Sequence, residues 1–192
     1  MSENTDETII QLSKTKIILA IVGSAAFVAI GYWFLTIDAA DISEGRSFRL
    51  LFNSPAFARI LGVLSIAFFG LAGIYLARKI FDKKPGLVLN SSGIVDNASA
   101  AAAGFIPWSD ITGSHIFEVS GTKMLVVMVR EAEKYIDRGS VVKRRLNKAN
   151  YNMVGSPITI SSTTLATDFV NLQSLFDHYL EKYGALPNFP NN

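Results

Sequence analysis

The chain has no cysteine among its 192 residues and only two histidines, His115 and His178. Without cysteine it can form no disulfide, no thiolate zinc site and no cysteine nucleophile. Neither histidine belongs to an HExxH, GxSxG or paired-acid pattern, and no glycine-rich phosphate loop is present. We therefore expect a protein that is not an enzyme and that binds no cofactor and no metal ion.

Charge is nearly absent from two long apolar runs, at residues 17–37 and 56–77. Each run has the roughly 20 residues with which an α-helix crosses the hydrocarbon core of a bilayer, where a helix satisfies its own backbone hydrogen bonds. We predict transmembrane helices at residues 15–37 and 56–79, joined by an external loop at residues 38–55. Since no ionisable side chain lies deep in either run and no proline interrupts them, we do not expect a transporter.

Each run has an alternative interpretation. The first could be a cleaved signal peptide, because Lys14 and Lys16 form a basic start, but its apolar part exceeds the roughly 7–15 residues of a signal core. Tyr32 and Trp33 also suit the lipid–water interface, where aromatic rings anchor a spanning helix. The second run could be the buried helix of a soluble protein, although its length argues against this.

Positive charges close to the runs predict their orientation. Lys14 and Lys16 precede the first run, and Arg78, Lys79, Lys83 and Lys84 follow the second. The positive-inside rule therefore places both termini in the cytoplasm. Small residues at four-residue spacing, Ala25 and Ala29 in one run and Gly73 and Ala77 in the other, would allow close helix pairing, either within the hairpin or between protomers of a homo-oligomer.

The rest of the chain divides into one domain and two tails. Residues 85–184 have an ordinary charge density and are numerous enough for one compact core. The N-terminal tail, residues 1–14, is predicted to be cytoplasmic, and its residues 5–12 are predicted to form a short helix or a disordered segment. Residues 185–192 are predicted to be a flexible tail.

Within the domain, the periodicity of apolar residues predicts strands and two helices, and residues 131–136 could add one or two helical turns. The predicted elements are a β-hairpin at 87–95 with a turn at 90–93, a loop at 97–104, a long bent strand at 105–119, a central strand at 124–129, a basic amphipathic helix at 141–149, a strand at 157–161 and a terminal helix ending near Tyr183.

This order of elements resembles the pleckstrin-homology-like (PH-like) plan, in which a terminal helix packs on a small barrel. Gly86-Leu87-Val88-Leu89 and Pro107-Trp108-Ser109-Asp110-Ile111 resemble the opening hairpin and the tryptophan step of bacterial PH-like domains. From the first run to Tyr183 the chain is similar to an uncharacterised bacterial family with two membrane spans followed by such a domain. We therefore expect an α+β protein with an N-terminal two-helix transmembrane hairpin, followed by a small PH-like β-barrel or sheet with a C-terminal helix.

Basic residues are the candidates for a binding site. Lys143, Arg144, Arg145 and Lys148 interrupt the apolar residues of the predicted basic helix, and Lys79, Lys83 and Lys84 follow the second run. They could contact anionic lipid or a protein partner, since each Lys or Arg near an anionic leaflet contributes about 1 kcal/mol, or they could form an ordinary solvated surface. Trp108 is predicted to be an aromatic anchor of the core, with ligand stacking as the alternative.

These patterns, together with the resemblance to a bacterial family, predict an inner-membrane protein whose cytoplasmic domain is a binding or scaffolding module for protein or anionic lipid. One alternative is an immunity protein against a toxin that acts at the inner membrane. Another is an accessory subunit of a larger membrane complex. We do not expect nucleic acid as a partner, because the net charge is only +2 and no recognition motif accompanies it.

Overall fold

The computed structural model describes residues 6–37 and 54–184, which form two compact units. One unit comprises Lys14–Asp82, and the other combines Met1–Ser13 with Lys83–Asn192. The first unit is therefore an insertion within the chain of the second. Almost all of the predicted external loop, at 38–55, and the whole of the predicted flexible tail, at 185–192, lie outside the described residues.

The inserted unit contains two long helices, α1 (Lys14–Thr36) and α2 (Pro55–Ile80). The Ser54 side chain caps the start of α2 by accepting a hydrogen bond from the Phe57 amide, and Pro55 occupies the first turn, where its missing N–H costs nothing. Both helices are long and apolar enough to cross a membrane. Only 17% and 6% of the residues in their most apolar windows are buried, whereas the core helix of a soluble protein is mostly buried.

The two long helices pack closely through glycines. A Cβ atom on Gly62 would lie 2.6 Å from the Gly31 carbonyl oxygen, so only hydrogen fits at this crossing. Nearby, the Ser65 hydroxyl donates to the Phe27 carbonyl at 3.0 Å, and the Phe27 ring stacks on a ring of the other helix. Of the small residues predicted to allow close pairing, Gly73 faces α1, where a Cβ atom would lie 3.6 Å from the Ser24 Cβ, whereas Ala25, Ala29 and Ala77 are exposed.

The second unit begins with a four-stranded antiparallel sheet in which chain order and spatial order agree. Its strands are β1 (Glu7–Ile10), β2 (Leu87–Asn90), β3 (Gly93–Asp96) and β4 (Gly104–Pro107). Because β1 precedes the helical insertion and β2 follows it, Ile10 and Leu87 are paired neighbours in the sheet although the whole inserted unit separates them in sequence. The prediction of a short helix or a disordered tail before the first run is therefore wrong. The β-branched Thr8-Ile9-Ile10 segment forms a strand because it pairs with β2, a partner that lies far along the chain and that no local pattern reveals.

A single turn of 3₁₀-helix (Trp108–Asp110) leads from the first sheet into a second one. The second sheet is antiparallel and contains β5 (Ile111–Val119), β6 (Thr122–Val129) and β7 (Ile158–Ser161) in that order. The predicted bent strand at 105–119 is therefore two strands in two sheets. The predicted central apolar strand at 124–129 is confirmed as β6, which has a neighbour on each side.

Three helices complete the second unit: α3 (Ala132–Ile136), α4 (Val141–Val154) and α5 (Phe169–Tyr183). Asp168 caps α5 by accepting a hydrogen bond from the Asn171 amide at 2.8 Å. Its apolar stripe, which includes Leu172 and Phe176, is buried in one core with side chains from both sheets. The architecture is therefore α+β, with two long apolar helices followed by two antiparallel sheets.

The start of β1 is also fixed to the terminal helix. The Asp6 carboxylate accepts hydrogen bonds from the Lys182 ammonium at 2.6 Å and the Tyr183 hydroxyl at 3.0 Å. These two donors hold the pKa of Asp6 below its usual value. At the other end of β1, the Ser13 amide donates to the Thr164 carbonyl at 2.8 Å. The N-terminal segment is thus an integral part of the second unit.

Candidate functional site

The candidate site is the basic helix α4, which extends beyond the predicted 141–149 to Val154. Ser140 begins it as an N-cap, and its hydroxyl accepts a hydrogen bond from the Lys143 amide at 3.4 Å. Gly155 ends it in the left-handed region at φ +78°, where glycine meets no steric penalty, and its amide donates to the Tyr151 carbonyl at 2.9 Å. The helix is therefore defined by local signals at both ends.

Polar contacts fix α4 on the domain. The Asn147 side chain is 1% exposed, and its amide group donates to the Tyr135 carbonyl at 2.9 Å. One turn later, the Asn150 amide donates to the Thr159 hydroxyl at 3.2 Å. The Asn147 side-chain oxygen, by contrast, has no partner among the described residues.

The short helix α3, which α4 contacts, is itself held by a network of charged groups. The Asp110 carboxylate accepts hydrogen bonds at 2.6 Å from both the Lys134 ammonium and the Tyr135 hydroxyl. Those bonds hold the pKa of Asp110 below its usual value, whereas burial and the nearby carboxylate raise the pKa of Tyr135. The Arg138 guanidinium lies 4.1 Å from the centre of the Tyr135 ring and donates to the Phe105 carbonyl at 2.8 Å. This network fixes α3 beside the turn that joins the two sheets, and α4 in turn contacts α3 and β7 of the second sheet.

The cations of α4 lie where they weaken the helix. Lys143 and Arg144 occupy its first turns, Arg145 follows, and no acidic residue lies in the first turn. Positive charges close to the positive end of a helix dipole cost a few tenths of a kcal/mol to about 1 kcal/mol each. Among residues 6–37 and 54–184, no ion pair involves Lys143, Arg144, Arg145 or Lys148. Ion pairing therefore does not account for these four charges in the described part of the chain.

The other candidate cations differ from those of α4 in their surroundings. Lys79 belongs to the helical unit, is 8% exposed and forms an ion pair with Asp82 at 2.9 Å. Lys83 and Lys84 belong to the second unit and are exposed. Lys79 is therefore engaged within its own unit, whereas Lys83 and Lys84 lie at the surface of the second unit.

Trp108 lies in the core. It is 2% exposed, its indole N–H donates to the Asn90 carbonyl at 2.7 Å, and its ring lies 6.0 Å from Phe176 and 6.2 Å from Tyr179. With its ring enclosed and its only donor satisfied, Trp108 offers no surface on which a ligand could stack.

One feature of the candidate site was not anticipated from the sequence, namely the direction in which its apolar residues face. Val142, Leu146 and Met153 are exposed although they lie on an amphipathic helix. Their spacing was visible in the sequence, but the side of the helix that meets the domain was not. In the described part of the chain, no group of three or more His, Asp or Glu side chains is arranged to hold a metal ion.

Comparison of the chain with protein-family models, with curated proteins and with solved structures finds no match.

Proposed function

We propose that the chain is a bacterial inner-membrane protein in which α1 and α2 span the membrane and the second unit is a cytoplasmic, non-enzymatic binding or scaffolding module of the PH-like type. The module contacts anionic lipid headgroups through α4. The observation that carries this proposal is the set of four cations on α4, which have no acidic partner in the described ranges. Only residues 11–13 and 81–86 separate the strands of this unit from the two apolar helices.

Lipid headgroups suit these cations better than the alternatives. Each Lys or Arg close to an anionic leaflet contributes about 1 kcal/mol, so two of them in contact change the ratio of bound to free α4 by more than about tenfold. Because the short connecting segments keep the unit close to any bilayer that α1 and α2 span, the contact needs no separate encounter. A basic surface that recognises nucleic acid would be expected to accompany a larger net charge than +2.

The pairing of β1 with β2 supports retention and orientation of the hairpin. Cleavage after α1, as in a signal peptide, would remove a strand whose Ile10 is buried in the core of the second unit. If both helices span the membrane, the same pairing requires that the segments before α1 and after α2 lie on one side of it. The positive-inside rule identifies that side as the cytoplasm.

The PH-like assignment rests on the order of elements. Strands of two antiparallel sheets, a basic helical insertion before the last strand and a C-terminal helix on the shared core follow one another as the resemblance implies. The chain departs from a simple tandem arrangement because the helical hairpin interrupts the domain after its first strand.

Orientation can be tested with single cysteines, which this cysteine-free chain accepts without background labelling. Glu7→Cys and Glu181→Cys should react with a membrane-impermeant maleimide only after the inner membrane is permeabilised. Ser47→Cys, in the predicted external loop, should react in intact spheroplasts. Labelling of Glu7→Cys or Glu181→Cys from outside would contradict the proposal.

Lipid contact can be tested on the full chain in nanodiscs. We expect amide hydrogen exchange in α4 to be slower in nanodiscs that contain phosphatidylglycerol than in pure phosphatidylcholine. Arg145→Glu should reduce this protection by about 2 kcal/mol, because it removes one favourable charge and adds a repulsive one. Lys123→Glu is the matched control, since Lys123 is also exposed but lies on β6. Equal exchange in both lipids would exclude headgroup binding by α4.

A further inference from the structure

Helix α4 carries an apolar stripe that faces away from the domain. Val142, Leu146, Ala149 and Met153 follow one another at the three- and four-residue steps that place side chains on one face of a helix. Val142 is 67% exposed, Leu146 is 39% exposed, Met153 is 58% exposed, and Ala149 is also exposed. Nothing in the described part of the chain covers this stripe.

The side of α4 that meets the domain is polar. Asn147 is the buried residue of the helix, and Asn150 also makes its hydrogen bond towards the domain. In an ordinary surface helix the apolar stripe faces the core and the polar residues face water. Here the one buried residue of α4 is polar and, of its apolar side chains, Val154 alone is half-buried, so most of its apolar area is available for another contact.

We infer that this stripe inserts into the interfacial region of an anionic bilayer, so that α4 lies in the membrane surface rather than only opposite it. The inference rests on the proposed function and adds apolar insertion to headgroup contact. Charge complementarity identifies an anionic bilayer as the partner of this stripe. The helix has four cations and no acidic residue, and Arg145 adjoins the stripe. A basic helix with an exposed apolar stripe is the type that binds at the boundary of headgroups and acyl chains.

Insertion and headgroup contact differ in their dependence on salt. The attraction of exposed charges is largely screened as the salt concentration rises from about 0.1 M to about 1 M. The burial of Val142, Leu146 and Met153 in the interface is not screened. An inserted helix should therefore keep part of its membrane contact at high salt, and that part should depend on the apolar residues.

The experiment uses the full chain in nanodiscs of phosphatidylcholine with phosphatidylglycerol. Ala149→Cys, labelled with an environment-sensitive fluorophore, reports on the stripe, and Tyr151→Cys reports on the opposite side of the same helix. Lipids that carry a quencher on the upper part of the acyl chain should quench the probe at position 149 strongly and the probe at position 151 weakly. The quenching at position 149 should persist in about 1 M salt.

Substitutions then separate the two contributions. Val142→Asn with Met153→Gln, in the Ala149→Cys background, should reduce the salt-resistant quenching at least threefold, because less apolar area is buried. Both substituted side chains are exposed, so the fold should be retained, which circular dichroism checks. Arg145→Glu should reduce quenching at low salt and leave the salt-resistant part almost unchanged.

The outcomes distinguish the inference from the function on which it rests. If the quenching disappears in high salt and is unchanged by the Val142 and Met153 substitutions, insertion is contradicted and headgroup contact is retained. Equal quenching in pure phosphatidylcholine would retain insertion but contradict the proposed preference for anionic lipid. Absence of lipid quenching, or self-quenching that grows with protein concentration, would overturn insertion and assign the stripe to a protein partner or to a second copy of this chain.

Discussion

Asp110 is the residue on which the position of α3 depends most directly. Its carboxylate accepts hydrogen bonds from two side chains of that helix, Lys134 and Tyr135. Hydrogen bonds to a charged group contribute about 1.5–3 kcal/mol when buried and less when solvent screens them. Because the Asp110 side chain is partly exposed, we assign it about 1–2 kcal/mol of stability.

We therefore expect Asp110→Asn to lower the free energy of unfolding by about 1–2 kcal/mol, as measured by thermal or denaturant unfolding in detergent. Asp177→Asn is the control, since Asp177 is an exposed carboxylate on α5, and it should have little effect. The bonds of Asp110 lower its pKa in the folded state. The contribution should therefore be complete above the unfolded value near pH 4 and be lost as the pH falls below it. A difference between the variant and the wild type that grows on acidification would contradict this assignment.

Strand β1 is short, and the packing of its alternate residues connects it to the core of the second unit. Its residues alternate between the core and the surface, so Ile10 is buried at 6% exposure while Ile9 is 51% exposed. Ile10 belongs to the shared core of the two sheets and α5. The strand is therefore stabilised by packing in which every second residue takes part.

Ile10→Ala should destabilise the second unit by about 2–4 kcal/mol, since it leaves a cavity in the core. Ile9→Ala removes the same atoms from the neighbouring exposed position and should cost well under 1 kcal/mol. Hydrogen exchange of β2 in the full-length protein measures both effects. Equal effects of the two substitutions would show that β1 does not pack as described.

The crossing of α1 and α2 provides a second test at this scale. Gly62→Val places a branched side chain against the Gly31 carbonyl and should separate the helices. Gly70→Val is the control, because a Cβ atom at Gly70 meets nothing within 4 Å. Titration with sodium dodecyl sulfate, followed by circular dichroism, should show earlier unfolding of the first variant only.

Elements defined by local signals could be predicted from the sequence, and those defined by distant partners could not. Adjacent residues were enough to predict three elements: the turn at Asn90-Ser91-Ser92-Gly93, the apolar run of β6 and the stripe of α5. Strand β1 has only four residues, and its partner lies beyond both long helices. The basic helix of the candidate site could likewise be predicted. The direction in which its apolar stripe faces depends on the contacts of Asn147 with α3, which no local pattern reveals.

For the whole molecule, the main consequence is that the second unit is discontinuous in sequence. A fragment that begins at residue 85 lacks β1 and with it one edge of the first sheet. We expect the fragment 85–184 to be unstable or aggregated when it is expressed alone, because the exposed β2 becomes an unprotected edge strand.

Replacement of residues 14–82 by a short Gly/Ser linker should instead give a folded, soluble domain, since Ile10 and Leu87 are paired neighbours in the sheet. Circular dichroism and dispersed amide NMR resonances measure the difference between the two proteins. A well-folded 85–184 fragment, or an unfolded linker variant, would contradict the role assigned to β1.

The interrupted sheet also has a consequence for synthesis. After β1 leaves the ribosome, roughly 80 further residues must be translated before its partner β2 follows, which takes roughly 4–16 s at about 5–20 residues per second. During this interval the domain cannot complete its first sheet, while both apolar helices emerge. If α1 and α2 insert into a membrane as proposed, the order of the chain therefore lets them insert before the domain can fold, so that a prematurely folded domain does not obstruct the hairpin.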